Sequence, residues 1–299
     1  MPASDRHGVC IVDKAVGPTS HDVVAQARRH LGTRRVGHAG TLDPDATGVL
    51  VLGVGRATRL LRFLAPLPKS YEGEVVLGVE TSTLDASGES TAVHEMGAVT
   101  LERARAAAAT LVGDLAQVPP MVSAVRVGGR RLHQLAREGV EVERQARPVT
   151  VHRFDVTELV EGRPVLRIEV DCSSGTYVRV LAADLGRALG GGAHLRRLRR
   201  TAIGPFTEAR ARTLDDLELL PALDAVRHLD QVVVDGEVAA LVATGTRLQR
   251  SGESVCFAGD GPWALRSERT GELLAVYEAA GERAHPAVVL VQPEVEHHR

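Results

Sequence analysis

The stretch Gly37-His38-Ala39-Gly40-Thr41-Leu42-Asp43-Pro44-Asp45-Ala46-Thr47-Gly48 holds the residues of this chain best placed to do chemistry. Pro44 restricts the backbone of Asp43 to extended conformations, while Gly37, Gly40 and Gly48 permit sharp turns and the close approach of another segment. A carboxylate presented in this way, just before the apolar run Val49 to Leu52, either closes a turn or attacks an electrophilic carbon. Residue chemistry leaves both open, an Asx turn before a strand being the commoner outcome. Asp45, two residues on, raises a glycosidase pair or a magnesium site. A glycosidase pair must flank its bond across a defined gap, which neighbouring positions do not supply, and further oxygen ligands for magnesium are not evident.

Aromatic residues make up only 3% of the chain, so the positions of Tyr71, in Lys69-Ser70-Tyr71-Glu72-Gly73, and Tyr177, in Ser173-Ser174-Gly175-Thr176-Tyr177-Val178-Arg179, carry information. A core role is the usual one for either tyrosine. Arg179 falls in the first turn of a predicted helix. That is a poor electrostatic position for a cation unless a carboxylate or phosphate pairs with it, the alternative being a solvated arginine. Of the 36 basic residues, all but Lys14 and Lys69 are arginines. Genome composition competes with function as the cause of that bias, yet guanidinium is the better group for phosphate contact. The clusters at 28–35, 126–147 and 196–200 would together make a phosphate-tracking surface.

These side chains need elements to position them. Val9 to Asp13 reads as a strand, followed by a Gly17-Pro18 turn and a helix from Ser20 to Leu31. Thr19 or Ser20 caps it, Val23, Ala27 and Leu31 share a face, and Gly32 stands at the stop. After the loop, Val49 to Val54 is a buried strand and Ala57 to Leu64 a short helix ended by Pro66. Tyr71 to Val79 alternates as a strand, Thr100 to Leu111 is an alanine-rich helix capped by Thr100, and Val118-Pro119-Pro120-Met121 breaks regular structure. A basic insert from Val125 to Arg147 surrounds a helical piece at Leu132 to Arg137. Val165 to Cys172 is a strand and Tyr177 to Leu189 a helix, and Thr213-Leu214-Asp215-Asp216 resembles a capping box that opens a linking helix. Beyond His228 the pattern is a small β domain of short strands with one small helix, over Val232 to Val234, Glu237 to Ala243, Val255 to Phe257, Leu273 to Tyr277 and Val288 to Val291. Strands and helices mix without strict βαβ alternation, which argues against a doubly wound sheet.

At 299 residues the chain is long enough for two domains, each with its own core. Asp5, Arg6 and His7 occupy the place where a signal peptide needs its apolar region, and no uncharged apolar run reaches the roughly 18 residues of a membrane span. A cytoplasmic location is expected. Cys10, Cys172 and Cys256 stand apart, so neither a zinc site nor a disulfide framework is expected. The net charge of −2 hides an asymmetry: residues 1–210 hold 28 Lys and Arg against 23 Asp and Glu, residues 211–299 hold 8 against 15. The first part suits an anionic partner and the second does not.

Taken in order, these motifs resemble the bacterial tRNA pseudouridine synthase B family over nearly the whole chain. The similarity runs through Val12-Asp13-Lys14, Gly17-Pro18-Thr19-Ser20, Gly37 to Gly48, Lys69 to Tyr71, Pro120-Met121-Val122-Ser123-Ala124, Ala146-Arg147-Pro148-Val149, Gly175 to Arg179 and Gly192-Ala193-His194-Leu195. The resemblance implies an α+β pseudouridine synthase fold with a mixed, mainly antiparallel central sheet flanked by helices. It implies a catalytic domain over 1–210, with a thumb-like insert at 125–147 that closes over the T arm of tRNA, a linker helix over 211–228 and a PUA-like C-terminal β domain over 229–299. The implied activity is an isomerase that converts the uridine at position 55 of the T loop to pseudouridine, without cofactor or metal.

In that family Asp43 would be the nucleophile that attacks the sugar or the uracil ring. Tyr71 would stack on the flipped uracil and help to remove the ring proton, and Arg179 would pair with Asp43 and favour its ionised form. The resemblance assigns substrate contact to His38, Lys14, Arg130, Arg131, Arg147, Tyr177 and Leu198. It implies a monomer that meets tRNA through the T arm and requires no other protein and no membrane. The acidic balance of residues 211–299 departs from a phosphate-binding PUA surface, which leaves RNA contact there to a local patch around Arg247 and Arg250. Two competing readings are a tRNA-folding chaperone, which would have no need of the aspartate, and the catalytic subunit of guide-RNA-directed particles, which shares the aspartate loop but usually carries basic terminal extensions.

Overall fold

The computed structural model describes residues 7–123, 126–140, 142–161, 164–252 and 255–291. Strand β1 (Gly8–Lys14) leads through the Gly17-Pro18 turn into helix α1 (Ser20–Leu31). Thr19 caps α1 reciprocally: its hydroxyl oxygen accepts the Asp22 N–H, and the Asp22 carboxylate accepts the Thr19 N–H. Gly32, at φ 65°, ends the helix in the left-handed conformation. The apolar positions Val23, Val24, Ala27 and Leu31 pack on β1 and its neighbours.

Strand β2 (Val36–Ala39), which sequence reading absorbs into the loop, pairs antiparallel with β3 (Thr47–Val54). The Asp43 loop is therefore the connection of a hairpin, fixed at both ends. β3 is buried along nearly its whole length because its two faces enter two cores, Val49 and Val51 on one side and Leu50, Leu52 and Val54 on the other, which is why its sequence is continuously apolar. A 3₁₀ turn (Gly55–Leu60) and the single-turn helix α2 (Leu61–Leu64) lead to β4 (Lys69–Leu77), which carries Tyr71. A small hairpin of β5 (Val79–Thr81) and β6 (Ser90–Val93), helix α3 (Leu101–Ala109) and β7 (Gly113–Gln117) follow. The basic insert contributes β8 (Arg126–Val127), β9 (Arg130–Arg131) and α4 (Leu132–Arg137). Then come β10 (Arg147–Leu159), β11 (Val165–Cys172), α5 (Val178–Ala188) and β12 (Ala193–Ile203).

Among the described residues the large sheet runs Leu220–Pro221, β1, β3, β12, β4, β11, β10, β7, with β2 attached to β3 and Phe206–Thr207 to β12. Every pairing is antiparallel except that of β3 with β12. The mixed, mainly antiparallel sheet of an α+β fold is thus present. Helices α3 and α5 cover one face, where Leu181, Leu185 and Ala108 meet Val75, Phe154 and Ile168.

The linking helix expected from Thr213 does not form. Arg212 instead lies along β1, its N–H donating to the Ile11 carbonyl at 2.9 Å and its carbonyl accepting the Asp13 N–H at 2.8 Å. Leu214, Leu217 and Leu219 pack against the α1 core. Backbone bonds to β1 and burial of three leucines outweigh a local helix start, and only a 3₁₀ turn at Ala222–Val226 remains. A second sheet, in the order Asp230–Val234, Trp263–Ser267, Leu273–Ala280, Arg283–Val289, Leu248–Gln249, carries the helix Gly236–Ala243. At Val255 to Phe257, where a strand was expected, an isolated bridge between Ser251 and Cys256 forms. Val276, Val288 and Leu290 of this sheet share a core with Leu60, Phe63 and Leu64. Arg56 donates to the Leu290 carbonyl at 2.6 Å across the same boundary.

Candidate active site

The Asp43 loop is held by side chains reaching in from distant elements. The Ser20 hydroxyl donates to the Leu42 carbonyl at 3.0 Å and accepts the Leu42 N–H at 2.9 Å. The Lys14 ammonium donates to the carbonyls of Ala15, Pro44 and Ala46 at 3.0, 2.9 and 2.7 Å. Lys14 is 1% exposed, so it supports the loop from inside. Leu42 and Ala46 are buried in the main core, which turns Asp43 outward between them. Gly48 closes the loop at φ +98°, and a Cβ there would stand 2.2 Å from the Arg200 carbonyl, so only glycine fits between β1 and β12.

Asp43 meets Arg179. The guanidinium donates to Asp43 Oδ2 through one terminal nitrogen and to Asp85 Oδ2 at 3.1 Å through the other. Arg179 is buried in the first turn of α5, the position that demanded an anionic partner, and it has two. The Asp43 side chain keeps 54% of its exposure while Arg179 keeps 7%, so the aspartate presents a reactive edge to solvent from a fixed backing. Partial burial pushes the Asp43 carboxyl above the ordinary aspartate range, and the Arg179 charge pulls against that shift. Helix α5 is itself placed by Gln117, whose side-chain carbonyl accepts the Tyr177 N–H at 2.7 Å and whose amide donates to the Tyr177 carbonyl at 3.1 Å.

Asp85 escaped sequence reading. Its Oδ1 accepts from the Thr83 hydroxyl at 2.6 Å, the Ser87 N–H at 3.1 Å and the Ser87 hydroxyl at 2.5 Å, which leaves Oδ2 for Arg179. The preceding Leu84, at φ 63°, is the single non-glycine among the described residues in the left-handed region, a strain typical of functional sites. The available signal was an aspartate set among Thr81, Ser82, Thr83 and Ser87.

Tyr71, on β4, is 8% exposed. Burial pushes its phenol up, and the neighbouring Arg200 charge pulls the other way. His38, on β2, meets His21 edge-on at 5.3 Å between ring centroids, and its buried Nδ1 has no hydrogen-bond partner. Burial lowers the His38 pKa below the ordinary histidine value, which favours a neutral ring. Leu198 is half-buried on β12 against the main core. Arg147 opens β10 beside Gln117 and is exposed. Arg130 is exposed and pairs with Glu138 within the insert, apart from the Asp43 cluster. The side chain of Arg131 lies outside the described residues, as do Ala124 and Val125.

The arginines at 196–200 do not form a phosphate track. Arg196 binds Glu74 at 2.9 and 2.5 Å, Arg199 binds Asp13 at 2.9 and 3.1 Å and Glu208 at 2.7 Å, and Arg200 is buried. These charges are already paired within the chain. Arg197 extends furthest into solvent, at 77% side-chain exposure, with its Nε 3.7 Å from Glu74.

Residues 28–178 match the model of the TruB family pseudouridylate synthase N-terminal domain, and residues 179–240 that of the tRNA pseudouridylate synthase B C-terminal domain. The chain belongs to the TruB family of pseudouridylate synthases. Family relatives include the tRNA pseudouridine synthase B of Streptomyces coelicolor (strain ATCC BAA-471 / A3(2) / M145), 50% identical over 91% of this chain and 93% of that protein. That of Rhodococcus jostii (strain RHA1) is 48% identical over 96% and 94%. Among solved structures, a chain from a Cbf5-Nop10-Gar1 complex superposes with a TM-score of 0.73 at 28% identity, over 98% of this chain and 86% of that one. The boundary between the two family models falls at the pair Val178 and Arg179, so both contribute to the Asp43 cluster.

Proposed function

We propose that this chain isomerises the uridine at position 55 in the T loop of tRNA to pseudouridine, with Asp43 as nucleophile. The observation that carries the reading is the half-exposed Asp43 carboxylate, hinged between glycines and backed by the buried Arg179. The target base leaves its stack at a cost of a few kcal/mol and enters the cleft beside Tyr71. The Asp43 carboxylate attacks the ribose at C1′ or the uracil ring, and the N1–C1′ bond breaks. The freed base rotates, C5 bonds to C1′, the proton leaves C5 and another is bound at N1, and the carboxylate is regenerated. Atoms balance within the substrate, so the step calls for no oxidant and no cofactor. Arg179 holds Asp43 ionised and aimed, Tyr71 offers its ring to the base, and His38 lines the flipped-base site as a neutral ring. The high phenol pKa supports Tyr71 as a stacking face first, its hydroxyl acting on the ring proton only with the Arg200 charge beside it.

In this reading residues 1–210 form the catalytic domain, 125–147 the thumb that closes on the T arm, 211–228 the connection and 229–299 the PUA-like domain. Arg130, Arg131, Arg147, Tyr177 and Leu198 line the path of the RNA. The protein acts as a monomer in the cytoplasm; Asp43, Tyr71 and Arg179 all come from one chain, so the site calls for no residue of a second copy.

The test is Asp43→Asn. It is expected to bind a T-arm stem-loop as the unaltered chain does and to release no tritium from C5 of the target uracil. Undiminished release would sink the mechanism. Turnover of the bare stem-loop by the purified chain also separates this reading from a subunit that depends on guide RNA and partner proteins.

A further inference from the structure

We propose that Arg200 is a positioning residue for this reaction, fixing the Asp43 loop and Tyr71 relative to each other. The inference rests on the reading of Asp43 as nucleophile and Tyr71 as the ring beside the base. Arg200 lies on β12, between β3 and β4, and its backbone stands in register with Gly48 at the exit of the loop on one side and with Tyr71 on the other. Its side chain repeats that bridge. Nε donates to the Val49 carbonyl at 2.8 Å, one terminal nitrogen to the Gly40 carbonyl at 3.0 Å and the other to the Thr41 carbonyl at 3.4 Å. One planar group therefore ties the entrance of the loop to its exit, with its charge beside the phenol of Tyr71, its partner on the next strand.

Arg200 is 1% exposed, and its hydrogen-bond acceptors are these backbone carbonyls rather than a carboxylate. A buried guanidinium with no carboxylate to answer is costly to desolvate, and packing alone gives no reason to keep one. What guanidinium adds is a rigid fork with fixed donor directions. Lysine keeps the charge and loses the fork, so Arg200→Lys isolates the geometric role.

The experiment measures the single-turnover rate at saturating enzyme, the affinity for a T-arm stem-loop RNA and the melting temperature for Arg200→Lys, Tyr71→Phe and the double variant, all in the full chain. Arg200→Lys is expected to bind RNA within about threefold of the unaltered chain and to turn over about 100-fold more slowly, the loss expected of a reacting group misplaced by about 1 Å. The double variant is expected to be no slower than the slower single variant by more than about threefold, because the two residues are partners on adjacent strands and act as one unit. Unchanged turnover in Arg200→Lys, or fully multiplicative losses in the double variant, would overturn the proposal. If Arg200→Lys does not fold, Arg200→Gln, which keeps a planar donor, takes its place under the same criteria. A rate loss that appears only together with collapse of melting temperature or RNA affinity also overturns it. Asp43→Asn is run alongside: activity there overturns the reading of the site itself, whereas an inactive Asp43→Asn with a fully active Arg200→Lys removes only the role given to Arg200.

Discussion

The Asp43 loop and the C-terminal sheet are held together by opposite means. In the loop, the carbonyls of Gly40, Thr41, Leu42, Pro44 and Ala46, with that of Val49 just past its exit, accept hydrogen bonds from Arg200, Ser20 and Lys14, and between Gly40 and Ala46 only Leu42 and Ala46 are packed in the core. In the sheet, Trp263 is fully buried, packs on Phe257 at 4.9 Å between ring centroids and gives its indole N–H to the Ala258 carbonyl, with Tyr277 and Leu265 beside it. Polar ties specify a shape without burying much surface, while apolar packing stabilises without aiming any one group. Variants in the loop should therefore lose rate before stability, and variants in the sheet stability before rate.

The sharpest break of that comparison is Asp43→Asn, expected to cost at least about 10⁴-fold in turnover, on the order of 5.5 kcal/mol of barrier, with little change in melting temperature. Trp263→Ala reverses the pattern. It is expected to lose about 3–5 kcal/mol of stability in denaturant titrations, while the fraction that remains folded turns over within about threefold of normal. Arg179→Met removes the cation between Asp43 and Asp85 and is expected to slow turnover about 100-fold, roughly 2.7 kcal/mol. It should also move the pH–rate profile in a defined direction. Asp43 acts ionised, its carboxyl is already raised above 3.8, and loss of the neighbouring cation raises it further. Because rate is lost as pH falls through that value, the acid limb should shift to higher pH; a limb that stays in place would break the assignment. Gly48→Ala tests the boundary between the two regimes. It forces a left-handed backbone and a collision with the Arg200 carbonyl, and should lose about 1–3 kcal/mol of stability together with activity.

The parts legible in the sequence were those specified locally. Thr19 and Gly32 bracket α1 at the expected positions, the glycine turn before α5 forms, and the cation in the first turn of α5 correctly demanded an anion. What stayed hidden depends on partners far along the chain. β2 reads as part of the loop because its four residues gain strand character only from β3. β10 went unrecognised although its thirteen residues form the longest strand of the large sheet, its start being masked by the arginines of the insert. Arg200 is indistinguishable by type from Arg196, Arg197 and Arg199. Register shifts on β12 between Leu195 and Arg197, and between Arg200 and Ala202, break the alternation that would have marked one of them as internal. The linker helix failed for the same kind of reason, since the three leucines beyond Arg212 find the α1 core instead.

The parallel seam between β3 and β12 has a consequence for synthesis. The fork of Arg200 reaches a loop whose last carbonyl partner lies 151 residues earlier in the chain. While the ribosome is still making the first 178 residues, the hairpin of β2 and β3 can close, but neither Arg179 nor Arg200 is yet available to shape its connection. The nascent chain thus carries its aspartate unaimed, and competence arrives late, when β12 slides in between β3 and β4.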